Sequence, residues 1–195
     1  MNVMTVRNLV LGCCAIGLGT VGHAEPVDGK VAKSALFKPK GAEVELIEQD
    51  FFTDQDRDIL GQVALQQSYY GAIAVSPDDG VISNATVAAA NYHAVPQAEI
   101  AALAACNDAK EGVADCVIVA QIRPKGWSEQ PVQLSVDATV AYRKEYRRGK
   151  GPKAFAISAS TGKFAVAKGE GAQEAAVEAC NERADASDCT AVILD

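Results

Sequence analysis

Apolar residues along this chain come in short blocks. Ala72-Ile73-Ala74-Val75 and Ala154-Phe155-Ala156-Ile157 are continuous apolar runs, and each leads into a turn sequence that ends in glycine. The turns are Ser76-Pro77-Asp78-Asp79-Gly80 and Ser158-Ala159-Ser160-Thr161-Gly162. Runs this short, closed by turn residues, predict buried strands and hairpin turns, with glycine supplying a positive φ. A second strand is predicted after each turn, over Val81–Ala90 and Lys163–Lys168. Alanine-rich stretches at 97–107 and 171–182 predict helices, with Pro96 at the first helical position of the former. Val117–Ile122 and Thr190–Leu194 predict a last strand in each half.

Upstream, Thr53 and Ser135 each place a hydroxyl N-cap before a helical stretch, 54–67 and 136–148, and Asp56 is spaced to close a capping box. Glu43-Val44-Glu45-Leu46-Ile47-Glu48 alternates and predicts one added strand. Arg123–Pro131, with two prolines, a glycine and Trp127, reads as a linker, and 25–41 as a flexible lead-in.

The two halves align. Residues 72–80 match 154–162 at four of nine positions, and 98–107 match 172–181 at six of ten, including a Cys-Asn pair. Asp115-Cys116 then matches Asp188-Cys189, so four cysteines fall in register. The expected fold class is α/β, α+β in detail: two tandem α-β-β-α-β modules forming a pseudo-dimer. The lead-in covers 25–51, module 1 covers 52–122, the linker 123–133 and module 2 134–195.

Residues 1–24 read as a signal peptide: Arg7, an apolar run from Leu9 to Val21, and Gly22-His23-Ala24 as a small-residue exit. A lipoprotein signal ending at Cys13 is the rival reading. Cleavage after Ala24 leaves 171 of 195 residues, with 17 Lys plus Arg, 25 Asp plus Glu, and His93 as the one imidazole. Four cysteines remain. An even count in an exported chain predicts disulfides. Duplication selects Cys106–Cys116 and Cys180–Cys189, because a bond within each copy could already form in a single ancestral module. The asparagine after each helix cysteine is expected to end its helix in the left-handed conformation. A zinc site is the alternative, but spacings of C-x9-C and C-x8-C lack the close pair that zinc sites use.

Tyr70-Gly71-Ala72-Ile73-Ala74 with its Ser-x-x-x-Gly turn, the alanine-rich helix ending in Cys106 and the Asp115-Cys116-Val117 strand resemble a bacterial secreted domain-of-unknown-function family. Lys153 to Ser158 and the second cysteine pair are similar, with Phe155 in the place of Ile73. The resemblance covers most of 69–122 and 153–195. It implies an exported, disulfide-bonded α/β domain and no particular activity.

Candidate chemistry is sparse. Formal net charge is −7, which argues against a general nucleic-acid binder, and no segment after the leader is long enough to span a membrane. His93 sits between a predicted strand and Pro96, with no nucleophile pattern around it; an exposed loop position, or part of a binding edge, is expected. Tyr92, His93 and Trp127 are the candidates for a ligand groove, and Trp127 could instead cap the seam between modules. Asp54, Asp56 and Asp58 lack the glycine and glutamate of a calcium loop and read as helix N-terminal carboxylates. Arg143, Lys144, Arg147, Arg148, Lys150 and Lys153 form the one basic cluster, a candidate polyanion patch or a set of helix C-terminal cations, with Tyr142 and Tyr146 on one stripe beneath. No catalytic set, metal site or cofactor is expected. The reading is a periplasmic or secreted non-enzymatic binding or interaction protein with an unknown envelope or extracellular partner. A small envelope hydrolase using His93 is the first alternative, and a structural or stress-related envelope protein the second.

Overall fold

The computed structural model describes residues 25–195. The leader expected over 1–24, including Cys13 and Cys14, lies outside the described residues. The fold is mixed α+β with two antiparallel sheets. In chain order the elements are α1 (Gly29–Ala35), β1 (Ala42–Leu46), α2 (Asp54–Leu65), β2 (Gly71–Val75), β3 (Val87–Ala89), α3 (Val95–Ala109), β4 (Val117–Pro124), α4 (Val136–Ala141), a π-helical turn (Tyr142–Tyr146), β5 (Lys153–Ser158), β6 (Phe164–Lys168), α5 (Ala172–Ala184) and β7 (Cys189–Leu194). The sheet orders are β1-β4-β2-β3 and β6-β5-β7.

Each sheet is covered on both faces, and this explains why its central strand is continuously apolar. Ile73 and Val75 of β2 turn toward Leu60 and Ala64 of α2, while Ala72 and Ala74 turn toward Ala98, Ala102 and Cys106 of α3. In the second sheet Phe155 meets Ala138, Tyr142 and Tyr146, while Ala154 and Ala156 meet Ala172, Ala176 and Cys180 of α5. Alternation along a strand separates the faces. Alanine on both sides lets α3 and α5 approach their sheets closely. Both disulfides form as the sequence predicts, Cys106–Cys116 and Cys180–Cys189, each fastening a helix to the next strand.

Corresponding details recur in the two halves. A register shift falls between Ile73 and Ala74 and again between Phe155 and Ala156. Gly80 N–H donates to Ser76 O at 3.0 Å, and Gly162 N–H to Ser158 O at 3.1 Å. Asn107 Oδ1 accepts the Cys116 N–H at 3.1 Å, and Asn181 Oδ1 accepts the Cys189 N–H at 3.0 Å. That last pair corrects an expectation. Neither asparagine ends its helix: α3 runs on to Ala109 and α5 to Ala184, where Asp185 takes the left-handed conformation. The asparagines instead hold the returning strand beside the disulfide.

Four other expectations are revised. The lead-in is ordered where it meets the second sheet. Asp28 caps α1 by accepting from Lys30 N–H and Val31 N–H, Val27 pairs with Ile193, and Ala32 and Ala35 are buried. The strand expected over Val81–Ala90 shrinks to Val87–Ala89. Before it, Ser83 donates to Gly80 O and Thr86 to Val81 O, so local side-chain bonds replace a ladder. The helix expected over 136–148 splits into α4 and the π-helical turn, and Arg123 and Pro124 belong to β4 rather than to the linker. The added strand β1 pairs with β4 from Ala42–Pro124 to Leu46–Ala120. The capping box is complete: Thr53 N–H donates to Asp56 Oδ2 at 2.8 Å and Asp56 N–H to Thr53 Oγ1 at 3.2 Å.

Candidate functional site

The segment after β4 crosses from the first sheet to the second and walls a trough. Gly126 N–H is held by Glu43 Oε2 at 3.0 Å, and the Trp127 indole N–H donates to Gln133 Oε1 at 3.1 Å. The Arg123 guanidinium lies over the indole, 5.0 Å from its centroid. It is fixed there by donating to Glu45 Oε2 at 2.6 Å and to Gln121 Oε1, while Gln121 donates to Glu99 Oε1 at 2.5 Å. Trp127 thus covers part of the core and lines a cleft of about 350 Å³, together with Tyr70, Pro96, Glu99, Arg123 and Gln133. A second cleft of about 210 Å³ continues it, lined by His93, Gln97, Val132, Ile157 and Val192. The two share Ala94 and Gln133.

Tyr70 forms part of the first cleft's lining. It is 1% exposed, and its hydroxyl has no hydrogen-bond partner among the described residues. Trp127 is the polar neighbour facing it, but the indole N–H is already given to Gln133. Burial pushes the Tyr70 phenol well above its usual range, so it stays a neutral donor and acceptor. A buried hydroxyl without a partner costs on the order of 1–3 kcal/mol. Larger hollows lie at Asp79–Ala85 and over the outer face of α5, about 560 and 620 Å³. Nothing comparable is left unpaired there; among the described residues Tyr69, which faces Thr139, is the other buried hydroxyl without a partner.

His93 is not on an exposed loop. It is 4% exposed and lies between the two halves. Ser135 N–H donates to its Nδ1 at 3.1 Å, and its Nε2 meets Lys163 O at 3.1 Å. A backbone N–H can only donate, so Nδ1 carries no hydrogen and Nε2 donates to the carbonyl. The imidazole is neutral, and burial, its largest influence, lowers its pKa to about 4. Beside it, Asn91 and Asp137 are joined twice: Asn91 Nδ2 donates to Asp137 Oδ2 at 2.9 Å, and Asp137 N–H to Asn91 Oδ1 at 3.2 Å. The Asn91 backbone takes a positive φ of 66° and passes close to Gly162, where a Cβ would come within 2.6 Å of Asn91 O. The sequence therefore places His93 correctly between elements and misjudges its burial. Its donor partner, the Ser135 N–H, and its acceptor partner, Lys163 O, lie 42 and 70 residues away.

The remaining candidates separate. Tyr92 packs against the alanine cluster of α3 rather than beside Trp127. Lys153 is largely buried, ion-paired with Asp195 at 3.1 Å and placed over the Tyr146 ring, which removes it from the basic patch. Arg143 donates to Phe37 O, and it is exposed along with Lys144, Arg147, Arg148 and Lys150. Tyr142 and Tyr146 stack beneath them, centroids 5.4 Å apart, and are buried as expected. Asp54 pairs with Arg57, and Asp56 belongs to the capping box. Among the described residues no group of His, Cys, Asp and Glu is arranged to hold a metal ion, and no helix is long and apolar enough to cross a membrane. The sequence did not point to Tyr70, Glu99, Arg123 or Gln133 as a set, because strand pairing and the linker bring them together. No protein-family model, curated protein or solved structure matches this chain.

Proposed function

We propose that the chain is an exported, non-enzymatic binding protein whose ligand site is the trough walled by residues 125–133. The observation that carries this reading is the unpartnered Tyr70 hydroxyl buried beside a cleft rich in fixed polar groups. A protein that keeps a buried hydroxyl unpaired, next to a Trp127–Arg123 pair already held in place, is pre-organised to give that hydroxyl a partner. The second cleft adds an apolar continuation through Val132, Ile157 and Val192. An elongated ligand with hydrogen-bonding groups at one end and apolar surface at the other fits this lining.

The state of His93 supports binding over hydrolysis. Both ring nitrogens are engaged with backbone groups, and the ring is neutral and buried. A general base needs a free nitrogen within reach of a substrate proton. Export rests on the leader pattern, and the two disulfides are compatible with a periplasmic or extracellular protein. The matching register shifts, turns and asparagine–cysteine bonds support descent of both halves from one duplicated module, docked as a pseudo-dimer about His93. Membership in the secreted family that the Tyr70–Ala74 and Asp-Cys patterns resemble belongs to the same proposal.

Native mass spectrometry of the protein recovered from its exported location tests the reading. A non-covalent adduct released on denaturation, and missing when Gln133→Trp fills both clefts, is expected. Unadorned protein at every gentle condition, with no adduct regained from envelope extract, counts against it.

A further inference from the structure

The second half of the molecule is electrically polarised across its sheet. Phe155 points to one face, where it packs under Tyr142 and Tyr146. Ala154 and Ala156 point to the other, against α5. The exposed cations of the π-helical turn and the loop after it, Arg143, Lys144, Arg147, Arg148 and Lys150, therefore lie on the face opposite α5. On α5 the buried positions are Ala172, Ala176 and Cys180, and the outward positions Glu174, Glu178 and Glu182 form an exposed stripe at a spacing of four. Residues 143–150 hold five cations and one carboxylate, whereas the rest of the mature chain carries 12 basic and 24 acidic residues. Helix and sheet layers stack at about 10 Å, which puts the two charged faces roughly 20 Å apart. That exceeds the screening length of about 10 Å at 0.1 M salt, so the acidic stripe does not neutralise the basic turn.

We infer that the turn and loop at 143–150 form a docking surface for an anionic phospholipid bilayer. The shape favours a surface over a single small anion. Gly149 and Gly151 have positive φ and open space around them, so the loop projects, and its cations line none of the clefts described above. A convex tip with five exposed cations meets many headgroups at once. No large apolar side chain is exposed within the tip, so contact stays at the headgroups and depends on charge. The acidic α5 face then points away from the bilayer, which orients the molecule. This inference stands apart from the trough.

Co-sedimentation of oxidised mature protein, residues 25–195, with phosphatidylcholine vesicles with or without phosphatidylglycerol tests it. Binding is expected only with phosphatidylglycerol, and is expected to fade as salt rises from about 0.02 to 0.2 M, where the screening length falls from roughly 20 to 7 Å. Arg147→Ala/Arg148→Ala is expected to weaken binding by about fivefold for each cation removed, and Lys144→Gln/Lys150→Gln by a similar factor. Glu174→Gln/Glu178→Gln, on the far face, is expected to change it less than about twofold at about 0.1 M salt, where the screening length is about half the separation. No phosphatidylglycerol-dependent binding at low salt overturns the inference, as does equal binding by the cation variants. Capture of soluble dextran sulfate without vesicle binding also overturns it, and assigns the patch to a polyanionic glycan instead.

Discussion

Nδ1 of His93 accepts the backbone N–H of Ser135, the N-cap residue of α4, while Nε2 of the same ring donates to Lys163 O. One buried neutral imidazole thus satisfies two backbone groups from the opposite half of the molecule. Protonation would turn Nδ1 into a donor facing the Ser135 N–H, and would charge a ring that burial keeps neutral. Asp188, whose field favours the charged form, is too weak an influence to reverse this.

The consequence is acid sensitivity. The folded pKa of His93, about 4, lies below the unfolded value of 6.5, so between these pH values the unfolded chain binds more protons. Stability from this group is complete above about pH 6.5, declines as pH falls toward 4, and is flat below. The span corresponds to roughly 3 kcal/mol. Urea titrations from pH 7.5 to 4 are expected to show that decline. His93→Gln should lower stability at pH 7 and flatten the slope; an unchanged slope would refute the assignment.

Each asparagine–cysteine bond predicts a specific cost. Asn107→Ala or Asn181→Ala leaves a part-buried cysteine N–H without its acceptor and should destabilise by about 1–2 kcal/mol. Aspartate at either position keeps an acceptor and should restore most of the loss. Thermal melts under oxidising conditions check this. Removing a whole staple, Cys180→Ser/Cys189→Ser, closes one loop fewer and should cost roughly 2–3 kcal/mol.

Packing predicts a contrast between two large apolar residues. Phe155 is fully buried among Tyr142, Tyr146 and Phe164, and Phe155→Ala should cost about 3–5 kcal/mol. Ile82 is 78% exposed, and Ile82→Ala should change stability by less than about 0.5 kcal/mol. Chemical denaturation of both variants is the check.

The central strands, the alanine helices and both disulfides were legible in the sequence because each depends on residues close in the chain. Four-residue apolar runs, Gly80 and Gly162 in their turns, and cysteines nine or ten positions apart carry local signals. The order of α1 was not legible, because its docking depends on Asp195 accepting from Gly29 N–H at the far end of the chain. Ser83 and Thr86 shortened β3 through bonds that propensity alone does not rank against a ladder. The trough was half legible. Trp127 and His93 were named, but they line adjoining clefts, and Tyr70 stood out only as part of the Tyr70–Ala74 pattern, not as a buried hydroxyl held without a partner. The basic cluster was visible as composition, while the loss of Lys153 to Asp195 required the fold.

The trough reading makes Tyr70→Phe the decisive variant, and Trp127, the sole tryptophan, its reporter. Removing a hydroxyl that has no partner should leave the free protein as stable as before or more so, by up to about 1–2 kcal/mol. If the same hydroxyl serves a ligand, the variant should bind less well. The measurement is a fluorescence titration of the oxidised protein, residues 25–195, with size-fractionated envelope extract, run beside thermal melts of both forms. The account predicts a saturable change in Trp127 emission for the natural sequence, weakened at least about fivefold in Tyr70→Phe, with a melting temperature that does not fall. A Tyr70→Phe protein that binds the same fraction equally well, or the absence of any saturable change with the natural sequence, would contradict it.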